Sequence, residues 1–217
     1  MSDAWAKKVA RNILPLSRES ESLKVALSEW RYSGDCEDHE KPIEECQMCD
    51  HPNIRYQYRI VNQFTQFELR VGSECITKFS VPVLDEMGTT LSREDVEQLL
   101  AKHSYRARRD ARTRRATEVL RELYRRGKSN ELQRRLIGGI GKSYKDKESH
   151  SPKQMVVIAK LLREHAVPHS PRDFKVAMAK DKSKDDIRTL GDSDFRHLYI
   201  YLSPSQRQRA DEIRSKA

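Results

Sequence analysis

The chain has 217 residues, of which 36% are hydrophobic and 35% are charged, a balance that suits small packed modules joined by solvated helices. It contains no apolar run near the roughly 18 residues of a membrane span, and its N-terminus is too polar for a secretory signal. We therefore expect no membrane partner and a cytoplasmic location, where cysteines serve as thiolate ligands and not as disulfides.

Two short helices are predicted at the N-terminus, over residues 3–13 and 19–30. In the second, Leu23, Ala26 and Trp30 recur at close to helical spacing. The run Ser33-Gly34-Asp35 then breaks the pattern and leads into an acidic stretch. The acids of this stretch are Asp35, Glu37, Asp38, Glu40, Glu44 and Glu45. We interpret it as a solvated loop.

The spacing of the cysteines predicts a metal site. The full set is Cys36, Cys46, Cys49 and Cys75. The C-x-x-C pair supplies two thiolates from one turn, and zinc takes four such ligands in a tetrahedron. Four cysteine ligands leave no position for water, so the sequence predicts a structural zinc ion and not a catalytic one. Because a long spacer precedes Cys46, His39 or His51 is an alternative to Cys36.

A β-hairpin is predicted between Cys49 and Cys75. Residues 54–60 and 67–71 alternate apolar and polar side chains, and a short polar connection separates them. The hairpin would return Cys75, at the start of a short helix, to the C-x-x-C pair. Its outer face carries Arg55, Arg59 and Arg70, which, with the aromatic residues, form either a base-binding surface or simply the solvated side of the sheet.

These motifs resemble a known group of zinc proteins. Cys46-Gln47-Met48-Cys49, Ile54-Arg55-Tyr56 and Val71-Gly72-Ser73-Glu74-Cys75-Ile76 are similar to treble-clef and zinc-ribbon modules, and to uncharacterised four-cysteine zinc-finger proteins of bacteriophages and mobile elements. The resemblance covers about a quarter of the chain. It implies a bacterial or phage-infected cytoplasm, and it supplies no activity. A treble clef takes two ligands from its helix, whereas only Cys75 is available here.

A concentrated basic segment follows. Residues 101–147 hold 16 Lys and Arg against 5 Asp and Glu, so this segment carries +11 in a chain whose total is +9. Ser92 and Asp95 form a capping signal, after which the pattern predicts either one long helix or two helices that break near Ser104.

The arginines of this segment form the predicted nucleic-acid site. On a helix, Arg108, Arg112 and Arg115 share one face, and such a row matches the phosphates of a nucleic-acid backbone. The ordinary alternative is a solvated helix face. The candidate binding residues are Arg106, Arg108, Arg109, Arg112, Arg114, Arg115 and Lys142.

The sequence Gly138-Gly139-Ile140-Gly141-Lys142-Ser143 resembles part of a nucleotide-binding loop. Such a loop should follow a buried strand and open a helix, whereas this one follows a helical pattern that starts near Ser129. We therefore predict that a helix ends at these glycines, that the loop touches at most phosphate, and that residues 142–149 form a linker.

A small helical domain is predicted from residue 150 to the end. Ser151-Pro152, Ser170-Pro171 and Ser203-Pro204 each combine an N-cap serine with proline at the first helical position. The spacing of these start signals does not match a solenoid repeat.

Together these patterns predict a mostly helical α+β protein in three parts. Residues 1–90 would hold the N-terminal helices and the zinc module, residues 91–147 the basic helical segment, and residues 150–217 the helical domain. The preferred function is non-enzymatic, sequence-independent nucleic-acid binding stabilised by structural zinc. One alternative is a module that docks on a host protein or self-associates. Another is a metal-dependent nuclease using acids such as Asp35 together with His39.

Overall fold

The computed structural model describes residues 3–127 and 130–216, and it divides into two compact units, Met1–Ala111 and Arg112–Ala217. Ser129, predicted to open a helix, lies outside the described residues. The elements are α1 Asp3–Ile13, α2 Leu23–Ser28, β1 Trp30–Asp38, β2 Tyr56–Asn62, β3 Glu68–Val71, α3 Ser73–Lys78, α4 Arg93–Arg126, α5 Glu131–Lys147, α6 Pro152–Glu164, α7 Asp181–Arg188, α8 Asp192–Tyr199 and α9 Pro204–Ser215. This is a mostly helical α+β architecture, as predicted. The predicted segment 91–147 is shared between the two units.

A three-stranded antiparallel sheet in the order β1-β2-β3 organises the first unit. The predicted hairpin is present as β2 and β3, with Ile60 opposite Leu69. Ile60, Val71 and Trp30 are fully buried and form the centre of the core. No helix among the described residues is long and apolar enough to cross a membrane.

Strand β1 corrects the sequence prediction of a helix over 19–30 followed by an acidic loop. Helix α2 ends at Ser28, and β1 begins two residues later with buried Trp30 and Tyr32. Gly34 then adopts φ +87°, and the register with β2 shifts between Tyr32 and Cys36. This irregularity interrupts the period-2 pattern, so the strand has no clear signature in the sequence.

Helix α4 is a single 34-residue helix, which decides between the one-helix and two-helix predictions. In the first unit, its residues Val96 and Leu100 are buried against the sheet. The Tyr58 hydroxyl donates to the Leu100 carbonyl at 3.1 Å, and the Tyr32 hydroxyl lies 2.6 Å from Nδ1 of His103. These contacts fix the first turns of α4 on the sheet.

Helix α5 in the second unit corrects the predicted helix end and linker. It continues through all three glycines to Lys147. Ile137, Ile140 and Tyr144 are buried at helical spacing, and their packing outweighs the weak helix propensity of glycine. Because the Gly-rich motif lies inside a helix, it cannot form a phosphate-binding loop.

The remaining helices complete the second core. Ser151 and Ser203 form the predicted capping boxes, with Gln154 and Gln206, at the starts of α6 and α9. Ser170 opens only a short 3-10 turn, Pro171–Asp173, because Phe174 continues in an extended conformation.

His150 lies fully buried in this second core. Its ring stacks on Tyr144, with a centroid distance of 4.4 Å, and also contacts Phe174. Neither ring nitrogen has a hydrogen-bond partner among the described residues. Burial therefore lowers the pKa of His150 to about 4, because a charged ring cannot be solvated there.

This burial predicts an acid-sensitive second unit. Above pH 6.5, His150 is neutral in both the folded and the unfolded protein. Below pH 6.5 it becomes protonated in the unfolded chain, whereas in the folded protein it stays neutral down to about pH 4. When the pH is lowered from 7 to 4.5, His150 should therefore reduce the free energy of unfolding by about 2–3 kcal/mol. Urea titrations followed by helical circular dichroism should show this extra loss in the wild type relative to His150→Phe. Equal losses in both proteins would contradict it.

Candidate metal centre and basic surfaces

The C-x-x-C segment folds as a tight knuckle. The amide of Cys46 donates to the His51 carbonyl at 2.9 Å, and the amide of Asp50 donates back to the Cys46 carbonyl at 2.8 Å. Asp50 itself adopts φ +55°, a conformation that Asp tolerates better than most residues. The Gln47 amide donates to the Arg70 carbonyl in β3, and Asn12 of α1 donates to the Met48 carbonyl. The knuckle is thus held between the sheet and α1.

Three buried cysteines meet at this knuckle and could hold a metal ion: Cys46, Cys49 and Cys75. Their sulfur atoms all lie within 4.8 Å of one another. The Sγ atom of Cys75 is 3.5 Å from that of Cys46 and 3.2 Å from that of Cys49. Zinc–sulfur bonds of about 2.3 Å in a tetrahedron place sulfurs nearly 4 Å apart, so the three thiolates fit a zinc ion with small adjustments.

Backbone amides also favour thiolate character at this site. The Gly72 amide donates to Sγ of Cys46 at 3.3 Å. The hydrogen bond between the Cys46 and Cys75 sulfurs, followed by backbone donors, lowers the pKa of Cys46 to about 5. The pKa of Cys75 is raised, first by its hydrogen bond to Cys46 and then by burial.

Cys36 is not part of this cluster, which corrects the predicted set of four cysteine ligands. It lies in β1 opposite Tyr58, beside a different cavity that His103, Arg106 and Asp110 also line. Burial raises the pKa of its thiol to about 12. The reason is strand β1, which the sequence pattern does not predict: Cys36 lies on this strand and outside the knuckle.

The alternative fourth ligand His51 is not part of the three-cysteine group either, but it lines the same cavity. A cavity of about 500 Å³ is lined by the three cysteines and by His51, and Glu74 lines it as well. His39, the other alternative, is instead engaged with Gln57 at 3.0 Å.

The acidic stretch is paired with the arginines of the hairpin. Arg55 makes two hydrogen bonds to Asp38, at 2.7 and 2.9 Å. Asp35 lies 3.5 Å from both Arg59 and Arg70. Each of these three arginines thus faces a carboxylate, so the hairpin face is a network of ion pairs. Among the described residues, no second group of ligands suited to a metal ion includes these acids.

Several of the predicted nucleic-acid-binding arginines are also paired. Arg115 donates to the Asp173 carboxylate at 2.7 Å within the second unit, and Asp110 lies within 4 Å of Arg106 and Arg109. Arg112 has its Nε buried. The predicted row of Arg108, Arg112 and Arg115 is therefore not fully exposed. This corrects the prediction, and the main reason is Asp173, which is distant in sequence and pairs with Arg115.

Other cations of α4 and α5 are exposed and lack a carboxylate partner among the described residues. Arg114 and Lys142 belong to the predicted set, whereas Arg121, two helical turns beyond Arg114, does not. Arg108, in the first unit, is likewise exposed and lies over the Tyr105 ring. Glu118 is exposed between Arg114 and Arg121. The seven-residue spacing in the sequence was the signal for Arg121.

Arg121 and Lys142 border a groove between α4 and α5 in the second unit. The groove has a volume of about 490 Å³, and Leu120, Ile137 and Thr117 contribute to its lining. Its other lining residues are Tyr124, Gly138 and Gly141.

In comparisons with known proteins, no family model, curated protein or solved structure matches this chain. The fold and site define a two-unit, mostly helical α+β protein with three cysteines that could hold a metal ion.

Proposed function

We propose that this protein is a zinc-stabilised nucleic-acid-binding protein that contacts mainly the phosphate backbone. The cations of α4 and α5 would bind phosphates, and zinc would stabilise the first unit. Sequence-independent binding follows from the kind of contact, because arginine and lysine neutralise phosphates without reading bases.

The distribution of ion pairs is the observation that carries the proposal. The hairpin arginines face carboxylates, whereas Arg114, Arg121 and Lys142 are exposed without a carboxylate partner among the described residues. Unpaired cations on a helical surface attract a polyanion, and a solvated helix face more often balances its charges. Arg114, Arg121 and Lys142 are thus the candidate phosphate-binding cations of the second unit.

Zinc in this proposal is structural. Cys46, Cys49 and Cys75 would be three of its ligands, and His51 would be the fourth, because it lines the same cavity. Zinc bound by three thiolates and an imidazole is fully coordinated and contributes folding energy. The residues here thus favour a scaffold role over catalysis.

Binding of labelled oligonucleotides in increasing salt tests the proposal. Wild-type protein should bind single-stranded DNA or RNA at low salt, and three phosphate contacts should weaken the affinity about 20-fold or more between 50 and 200 mM salt. Absence of binding at low salt, or binding that is insensitive to salt, would contradict the proposal.

A second candidate is docking on a protein or self-association. Leu132 and Leu136 are one helical turn apart on α5 and are 77% and 44% exposed. Exposed apolar residues at this spacing are typical of a helix that meets a partner. The molar mass in solution, measured by light scattering for wild type and Leu132→Gln/Leu136→Gln, separates a dimer from a monomer.

A further inference from the structure

The groove between α4 and α5 has the features of a site for a nucleobase. Gly138 and Gly141 line the groove and have no side chains that could fill it. A side chain added at Gly141 would meet nothing within 4 Å. A volume of about 490 Å³ falls within the range, roughly 300–1,000 Å³, of pockets that take small organic groups. There is therefore room for a flat ring between the helices.

One aromatic ring, that of Tyr124, and two cations line that space. Tyr124 is 39% exposed, and its ring edge lies about 4.0 Å from where a Gly138 side chain would begin. The Arg134 guanidinium lies over the Tyr124 ring, 5.4 Å from its centroid, and hydrogen-bonds its hydroxyl. Arg121 and Lys142 line the same groove. A stacking ring flanked by cations is the arrangement that proteins use for single-stranded nucleic acid.

We propose that this groove binds a base of a single strand against Tyr124, while Arg121 and Lys142 hold the adjoining phosphates. The inference rests on the proposed nucleic-acid-binding function and deepens it, since it makes the preferred ligand a single strand. In a duplex the bases are stacked and paired, so none can enter the groove without being unstacked.

Two glycine variants give a matched test. Gly141→Leu fills the groove, whereas Gly139→Leu adds the same side chain to the same helix at a position that does not line it. Neither added side chain begins within 4 Å of another group, and both changes raise helix propensity, so neither should unfold α5. Tyr124→Ala removes the ring, and Tyr124→Phe retains it.

Anisotropy of a labelled oligothymidylate, of the same strand with abasic sites, and of a duplex measures the effect. The wild type should bind the intact strand more tightly than the abasic strand or the duplex. Gly141→Leu and Tyr124→Ala should bind the intact strand about 5- to 150-fold more weakly, the range expected for loss of one stacked base. Gly139→Leu should match the wild type, and Tyr124→Phe should lose less affinity than Tyr124→Ala because it retains the ring.

Equal binding of intact and abasic strands by the wild type, or equal losses in Gly141→Leu and Gly139→Leu, would overturn the base site. Salt-dependent binding would then still stand, so the backbone proposal would survive. Absence of binding to any probe by the wild type would overturn both proposals together.

Discussion

Removal of metal should unfold the first unit and leave the second unit folded. Cys46, Cys49 and Cys75 bring three sulfurs together inside the core, where unliganded thiolates would repel one another. A structural zinc ion contributes about 10–16 kcal/mol in small zinc modules, which is comparable to the net stability of about 5–15 kcal/mol that is typical of a domain. Chelation, or Cys49→Ser, should therefore remove a free energy about as large as the whole stability of the unit.

Tryptophan emission reports on this prediction selectively. The chain has two tryptophans, Trp5 and Trp30, and both lie in the first unit. Loss of metal should shift their emission to longer wavelength while helical circular dichroism from the second unit persists. Cys36→Ser is the matched control, because Cys36 lies outside the cluster, and it should retain one metal ion and native emission. Metal loss in Cys36→Ser equal to that in Cys49→Ser would contradict the three-cysteine site.

Cobalt substitution extends the same test to the fourth ligand. The intensity of thiolate-to-cobalt charge transfer scales with the number of bound sulfurs, so it should correspond to three thiolates. It should be unchanged in Cys36→Ser, and His51→Ala should alter the ligand-field bands. An intensity that corresponds to four thiolates and falls in Cys36→Ser would restore the predicted four-cysteine set.

Neutralisation of the unpaired cations should weaken nucleic-acid binding about 100-fold. In the triple variant Arg114→Gln/Arg121→Gln/Lys142→Gln, each lost phosphate contact should cost about 1 kcal/mol, the upper range for solvent-exposed charge pairs. Glutamine is a good helix former, so α4 and α5 should remain intact. The measurement is the affinity for a labelled oligonucleotide at fixed low salt.

A second triple variant controls for net charge. Arg93, Lys160 and Arg188 are exposed and already face carboxylates at 3.1, 2.6 and 2.8 Å. Their replacement by glutamine also removes three positive charges from the chain, but each of these charges is already paired with a carboxylate. Its affinity should stay within about threefold of the wild type, since those charges are neutralised locally. Equal losses in the two triple variants would mean that overall charge, not this surface, attracts the ligand.

The residue pattern predicted much of the first unit because its signals are local. The C-x-x-C pair, the hairpin and Cys75 at the start of α3 all lie within 30 residues of one another. The prediction of Cys36 as a ligand rests on the four ligands that zinc takes and not on a local pattern. Its strand contains a glycine with positive φ and several acids, so the apolar alternation that would reveal a strand is broken there.

The basic surface was harder to predict because pairing is a long-range property. Nothing near Arg115 in the sequence indicates Asp173, which is 58 residues away and neutralises it. The glycines of α5 likewise signal a helix end, yet buried Ile140 and Tyr144 keep the helix continuous. Tertiary packing decided both points, and packing is invisible to propensity and local charge.

The most direct test of the central claim is the slope of log affinity against log salt concentration. It should be measured for the wild type and for Arg114→Gln/Arg121→Gln/Lys142→Gln with one oligonucleotide. If these three cations bind phosphates, the slope of the variant should be smaller in magnitude by about 2–3, because each contact contributes about 0.7–0.9. Identical slopes in the two proteins would contradict the claim that the surface of α4 and α5 binds the nucleic-acid backbone.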